Sequence, residues 1–252
     1  LANVQKSRVS RAALVHGASN FDGQDDSMQT RELLGKAQVP GGEELTLYKR
    51  GGDFMIVMGH NELMSTRMSG SEEALANLTH ERLGNRPAEH WLIGGYGMGF
   101  TLRTALAALD AKAKITVAEL VPEIIQWARG PMAEVAAGCL DDPRVNLQHG
   151  DAADAIAAGH LTYDAILLDV DNGPDGLVRP ENDRIYSEKG LRAAKHALRP
   201  GGVLAIWSAG PDPSFTRRLT RVGFAVEEVG VRARSNGKGP RHVIWFATKP
   251  AT

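Results

Sequence analysis

The chain has 252 residues, with 29 Lys and Arg against 30 Asp and Glu, and a formal net charge of −1 gives no electrostatic footprint for a general polyanion binder. Hydrophobic residues make up 42%, ordinary for one globular domain with a small appendage, and no run approaches the roughly 20 apolar residues of a membrane span. A single cysteine, Cys139, excludes an intrachain disulfide, and the 8 histidines are scattered without a His/Cys cluster, so no metal is expected.

The first residues carry no signal-peptide core, and a cytoplasmic protein with a small-molecule ligand, no nucleic-acid partner and no membrane partner is expected. The chain begins at Leu1 rather than Met, which leaves room for an upstream segment. Residues 1–42 have weak periodicity and many polar side chains, and read as an irregular or partly helical arm ending at Pro40-Gly41-Gly42. Its basic stretch from Lys6 to Arg11 reads as a solvated terminal arm. Residues 43–84 change character. ELTLYKR, DFMIVMG and ELMSTRM alternate apolar and polar residues and are separated by Gly51-Gly52 and His60-Asn61, which predicts a small antiparallel meander. Ser71 is then expected to cap a helix, with Glu72 and Glu73 in its first turn.

Residues 85–252 alternate strand and helix with no long linker. Strands are expected at 90–95, 114–120, 145–149, 163–169, 201–208, 225–232 and 242–248, and helices near 99–110, 122–137, 152–158, 184–198 and 212–222. The segment from Arg234 to Pro240 is polar and Gly-rich and reads as a hairpin loop. The pattern predicts a doubly wound α/β sheet, mostly parallel and seven-stranded, ending in an antiparallel hairpin, with a small N-terminal β appendage.

The most informative stretch runs from His90 to Glu119. An apolar strand breaks into Gly94, Gly95, Tyr96, Gly97 and Gly99, an Ala/Leu-rich helix follows, and the next strand ends in Glu119-Leu120. Glycines let backbone N–H groups approach a ligand, and the helix start adds orphan donors. Glu119 lies 20 residues after Gly99, where a carboxylate can accept both hydroxyls of an adenosine ribose. The bland alternative is a turn that only eases helix–sheet packing. The spacing Gly95-x-Gly97-x-Gly99 is not that of dinucleotide binders, and no Gly-Lys-Ser/Thr follows, which argues against a phosphate-gripping loop.

Later strand ends add carboxylates. Gly150-Asp151-Ala152 follows the third strand, where Asp151 can accept an adenine amine and the Ala152 N–H can donate to a ring nitrogen. Asp151 equally suits a helix N-cap, and the two roles can coexist. The fourth strand ends at Asp169 and leads into a loop with Asp171 and Asp175. Such acids suit binding of an amine and acceptance of its proton, or else simple turn chemistry and solvation.

From about Glu62 onward the chain resembles the spermidine synthase family within the class I S-adenosylmethionine-dependent methyltransferase superfamily. The resemblance rests on the β meander, SEEALA before the first strand, LIGGYGMGFTLR, Glu119, the GDA at 150–152, YDAILLD with its acidic loop, Tyr186 opening the next helix, and LRPGGVLAIWS. It implies a homodimeric transferase whose adenosyl donor is held by Gly94, Gly95, Tyr96, Gly97, Gly99, Glu119, Leu120, Asp151, Ala152 and Asp169. It also implies Asp169, Asp171 and Tyr186 in catalysis, and Glu72, Asp171 and Asp175 toward the acceptor.

Four departures bear on the donor and the acceptor. The family usually carries an Asp at the place of Gly97, where it pairs with the aminopropyl ammonium of decarboxylated S-adenosylmethionine. Its absence also removes repulsion of the intact donor's carboxylate, on the order of 4 kcal/mol for like charges about 4 Å apart at an effective dielectric of 20. Gly70-Ser71 replaces a Tyr-Gln pair, and VDNGPDG replaces Ser-Ser-Asp-Pro after Asp169. The acid that many methyltransferases place two residues before the turn is Ile93 here. The expected reaction is transfer of the methyl group, or the aminocarboxypropyl arm, of S-adenosylmethionine to a small amine-bearing acceptor. The alternatives are aminopropyl transfer from the decarboxylated donor to a polyamine, and a non-catalytic protein that binds an adenosyl ligand such as methylthioadenosine.

Overall fold

A computed structural model describes residues 30–84, 86–170 and 183–251. The first four strands, β1 (Glu32–Gln38), β2 (Glu44–Arg50), β3 (Asp53–Met58) and β4 (Asn61–Ser65), form an antiparallel sheet in that order. Period-2 alternation turns Leu45 and Leu47 of β2 inward, and β3 is buried from Phe54 to Met58. Gly51 and Gly59 supply the positive φ values, 61° and 57°, that the tight connections need.

β1 corrects the expectation of an irregular arm through residue 42. Its alternation is masked because the β1–β2 register shifts between Leu33 and Gly35. Gly35 is there for contact: a Cβ would lie 2.5 Å from the Trp127 indole nitrogen.

The helix α1 (Gly70–Leu83) leads into the large sheet. Then follow β5 (His90–Gly94), α2 (Phe100–Ala108), β6 (Lys114–Glu119), α3 (Pro122–Arg129), α4 (Ala133–Ala136), β7 (Val145–His149), α5 (Ala152–Ala158) and β8 (Tyr163–Leu168). The chain closes with α6 (Asp183–Tyr186), α7 (Glu188–Ala197), β9 (Leu198–Ser208), α8 (Pro213–Val222), β10 (Ala225–Arg232) and β11 (Arg241–Thr248). The sheet order is β10-β11-β9-β8-β5-β6-β7. β5, β6, β7, β8 and β9 pair in parallel, whereas β11 runs antiparallel to β9 and to β10. This is the mostly parallel seven-stranded sheet expected. Strand order reverses between β5 and β8, which places the ligand crevice beyond their carboxyl ends.

Two core layers cover the sheet. Trp91, Ile93, Ile115 and Val117 face Leu75, Leu102 and the small sheet's Leu47 and Ile56. Leu92, Ile166 and Leu168 face Leu191, Phe215 and Trp245. Three helices depart from expectation. The span 122–137 breaks at Gly130-Pro131, where proline cannot continue the ladder. The span 184–198 breaks at Ser187, whose hydroxyl caps α7 by accepting from the Gly190 N–H. Ser71 does not cap α1: the N-cap is Ser69, without a side-chain cap bond, and Ser71 lies inside the first turn, fully buried.

Candidate active site

The glycine turn after β5 forms the floor of a crevice. The Gly95 N–H donates to the Ala118 carbonyl at 2.9 Å and the Asp169 N–H to the Gly94 carbonyl at 3.1 Å, tying the turn to β6 and β8. Gly95 and Gly97, at φ 85° and 56°, line a cavity with Glu119, Leu120, Gly150, Asp151, Ala152 and Asp169. Leu45, Leu63 and Met64 of the small sheet, with Val39 just beyond β1, form its apolar wall, a contribution the residue pattern did not reveal. Gly94 and Gly99 serve packing instead. A Cβ on Gly94 would lie 2.8 Å from that of Ala152, and one on Gly99 would lie 2.6 Å from the Tyr96 hydroxyl.

Glu119 is buried, with Oε2 accepting from the Tyr96 N–H and Oε1 from the Val121 N–H, both at 2.8 Å. Burial pushes its carboxyl above the ordinary range, and the backbone donors oppose that rise. The Gly97 and Leu120 backbone N–H groups also act on this carboxyl, which lines the first cavity. The Tyr96 side chain points away: its hydroxyl lies 3.5 Å from Cys139 Sγ. Asp151 both lines the cavity and caps α5, accepting from the Ala153 N–H at 2.8 Å.

A second cavity shares Leu63, Met64, Gly97, Asp169 and Val170 with the first. Glu72, Met68, Met98, Phe100, Trp207 and His242 also line it. Asp169 thus stands where the two cavities meet, and Glu72 faces the second. Burial raises the proton affinity of both carboxyls, and the Asp169 charge raises that of Glu72 further. β8 carries a second acid as a control. Asp164, at its other end, accepts from Arg199 at 2.6 Å and from the His90 N–H at 2.9 Å, with Arg86 at 3.5 Å. Among the described residues, no cation pairs with Asp169.

Tyr186 differs from its expected place. Its ring is buried in the core, edge-on to Phe215 at 5.8 Å, while its neighbour Ile185 reaches the first cavity. Asp171 and Asp175 lie outside the described residues. No group of three or more metal-type ligands occurs among the described residues. His242 carries no motif, and LRPGGVLAIWS does not single out its Trp207, because strand pairing alone brings both here. The Trp207 indole N–H is buried without a partner among the described residues.

The sheet order defines a methyltransferase-like α/β fold, with two adjoining cavities beyond the strand ends. A family model described as spermine/spermidine synthase domain matches residues 69–218, more than half of the chain, so the chain belongs to that family. A polyamine aminopropyltransferase of Sulfolobus acidocaldarius is 31% identical over 127 residues, 50% of this chain and 41% of that protein. One from Mycobacterium tuberculosis is 27% identical over 204 residues, 77% of this chain and 38% of that protein. The chain spans about two fifths of the length of these curated relatives. Spermidine synthase from Thermotoga maritima shares the fold, with a TM-score of 0.68 at 19% identity over 87% of this chain and 73% of that one. The same values hold for a spermidine synthase solved with the transition state analogue AdoDATO.

Proposed function

We propose that the protein is an aminopropyltransferase-like enzyme that takes an adenosyl sulfonium donor in the first cavity and an amine in the second. The observation that carries this reading is the Glu72–Asp169 pair, with Asp169 on the wall common to both cavities. Two carboxyls favour ammonium groups and oppose a ligand carboxylate, so they support the decarboxylated donor despite Gly97. The amine nitrogen would attack the arm carbon bonded to S⁺. A C–N bond forms, the C–S pair returns to sulfur, methylthioadenosine leaves, and a carboxylate takes the amine proton. Names of relatives support the same reading.

Transfer from intact S-adenosylmethionine is the second reading, favoured by Gly97 where the family carries an Asp. Calorimetry with S-adenosylmethionine, its decarboxylated form and methylthioadenosine separates the two. Turnover is then followed with a short aliphatic diamine. Tighter binding of the decarboxylated donor, with methylthioadenosine released, is expected. Preference for the intact donor, with methylated amine as product, overturns the reading.

A further inference from the structure

The first turn of α1 and the start of β11 meet beside the second cavity. The Gly70 N–H donates to the Ala233 carbonyl at 2.8 Å, and a side chain at Gly70 would overlap the Arg234–Ser235 backbone. One residue on, the buried Ser71 hydroxyl donates to Glu72 Oε2 at 2.7 Å and lies 3.0 Å from His242 Nδ1. A hydroxyl has one proton. With that proton on Glu72, Ser71 must accept at its other contact, so His242 Nδ1 carries hydrogen. The ring is held in turn by Trp207, edge-on at 4.7 Å.

We propose that His242, acting through Ser71, is a positioning residue for Glu72: it commits the Ser71 proton to Glu72 Oε2 and so sets the orientation and proton affinity of the carboxyl that faces the amine cavity. The inference deepens the proposed transferase reading and rests on it for its catalytic meaning only. It also accounts for Gly70-Ser71 in place of the family's Tyr-Gln: the glycine admits the hairpin, and the serine reaches its histidine.

The charged groups around Glu72 make such a donor consequential. Burial raises its proton affinity most, Asp169 at the end of β8 and Glu73 on α1 raise it further, and the Ser71 hydroxyl lowers it. Burial disfavours the charged form of the His242 imidazole, and in the neutral ring only one nitrogen can carry hydrogen, which the Ser71 contact places on Nδ1 in this arrangement.

The test titrates the Glu72 carboxyl directly, by carbon-13 NMR of glutamate-labelled protein, with Glu72→Gln assigning the signal. His242→Phe keeps a ring against Trp207 and removes the donor to Ser71 while leaving the Ser71–Glu72 bond, so it should raise Glu72 proton affinity about two- to fourfold, the size of polarisation through one intervening hydroxyl. His242→Leu is a second variant for the same outcome, and Ser71→Ala should shift Glu72 at least as far. His242→Asn, which keeps an N–H near the Nδ1 position, should restore most of the wild-type value. Thermal melting monitors folding throughout. An unchanged Glu72 titration in folded His242→Phe or His242→Leu overturns the inference, as does His242→Asn shifting as far as Phe. None of these readings uses turnover, so failure of the transferase assignment leaves them decisive. If the assignment stands, the acceptor KM rises in His242→Phe while methylthioadenosine affinity stays near wild type.

Discussion

Glu72 on α1 and Asp169 at the end of β8 place two carboxyls on the wall of one cavity, and the charge of Asp169 raises the proton affinity of Glu72. Each binds its proton more tightly folded than unfolded. Stability therefore falls as pH rises from the ordinary carboxylate range through the raised folded values. Glu72→Gln retains an oxygen for Ser71 and removes the charge. It should raise the melting temperature at mildly alkaline pH by about 2–4 °C, the size of roughly 1 kcal/mol in a chain of this length. It should also weaken binding of an amine. Equal melting curves for variant and wild type across the pH range would remove the repulsion.

Asp169→Asn should lower turnover about 10²-fold or more, the loss of a general base, with little loss of stability. Asp164→Asn should do the reverse, weakening a buried acid paired with Arg199 and costing about 1–3 kcal/mol of stability. Parallel melting and rate measurements on the two variants compare positions on one strand. Retained activity with lost stability in Asp169→Asn would make Asp169 structural.

Glu119→Gln puts an amide NH₂ where an oxygen now accepts from Tyr96 or Val121. One buried donor then faces another, at a cost of about 1–3 kcal/mol in folding, and adenosyl binding should weaken by about 1.5–3 kcal/mol. Denaturant melts and calorimetry with methylthioadenosine read the two effects. Unaltered affinity in a folded variant removes the ribose role.

Gly97→Asp restores the acid that the family usually carries in the turn. At φ 56°, and with Met64 Sδ 3.2 Å from where a Cβ would lie, the change strains the backbone and presses the small sheet. Strain weakens both donors alike, whereas the new charge shifts their ratio toward the decarboxylated form. Calorimetry of both donors on wild type and variant separates the two, and an unchanged ratio means that a side chain at position 97 does not face the donor arm.

The large sheet is legible in the sequence because buried parallel strands read as apolar runs and because the glycine turn sits between a strand and a helix. Glu119, Asp151 and Asp169 are legible because ligands gather beyond strand ends. β1 is not, since a register shift and Gly35 interrupt its alternation. His242 is hidden for a different reason. Its contact with Ser71 spans 171 residues, and nothing local in Arg241-His242-Val243 marks it. The expectation for Tyr186 rests on family pattern alone, and the packing of its ring against Phe215 is not written in that pattern.

The antiparallel run of β11 brings the beginning of a strand to a rim where the parallel strands deliver their ends. The first cavity is lined by residues up to Ile185, whereas Trp207, Ala209, Pro240 and His242 complete the wall of the second. During synthesis, the first cavity, the proposed donor site, is therefore assembled from earlier chain, and the second, the proposed amine site, waits for the last hairpin to emerge and dock on Gly70. On the proposed assignment, donor capture and acceptor choice are separable along the polypeptide, and changes in the hairpin should redirect the acceptor while leaving the glycine turn intact.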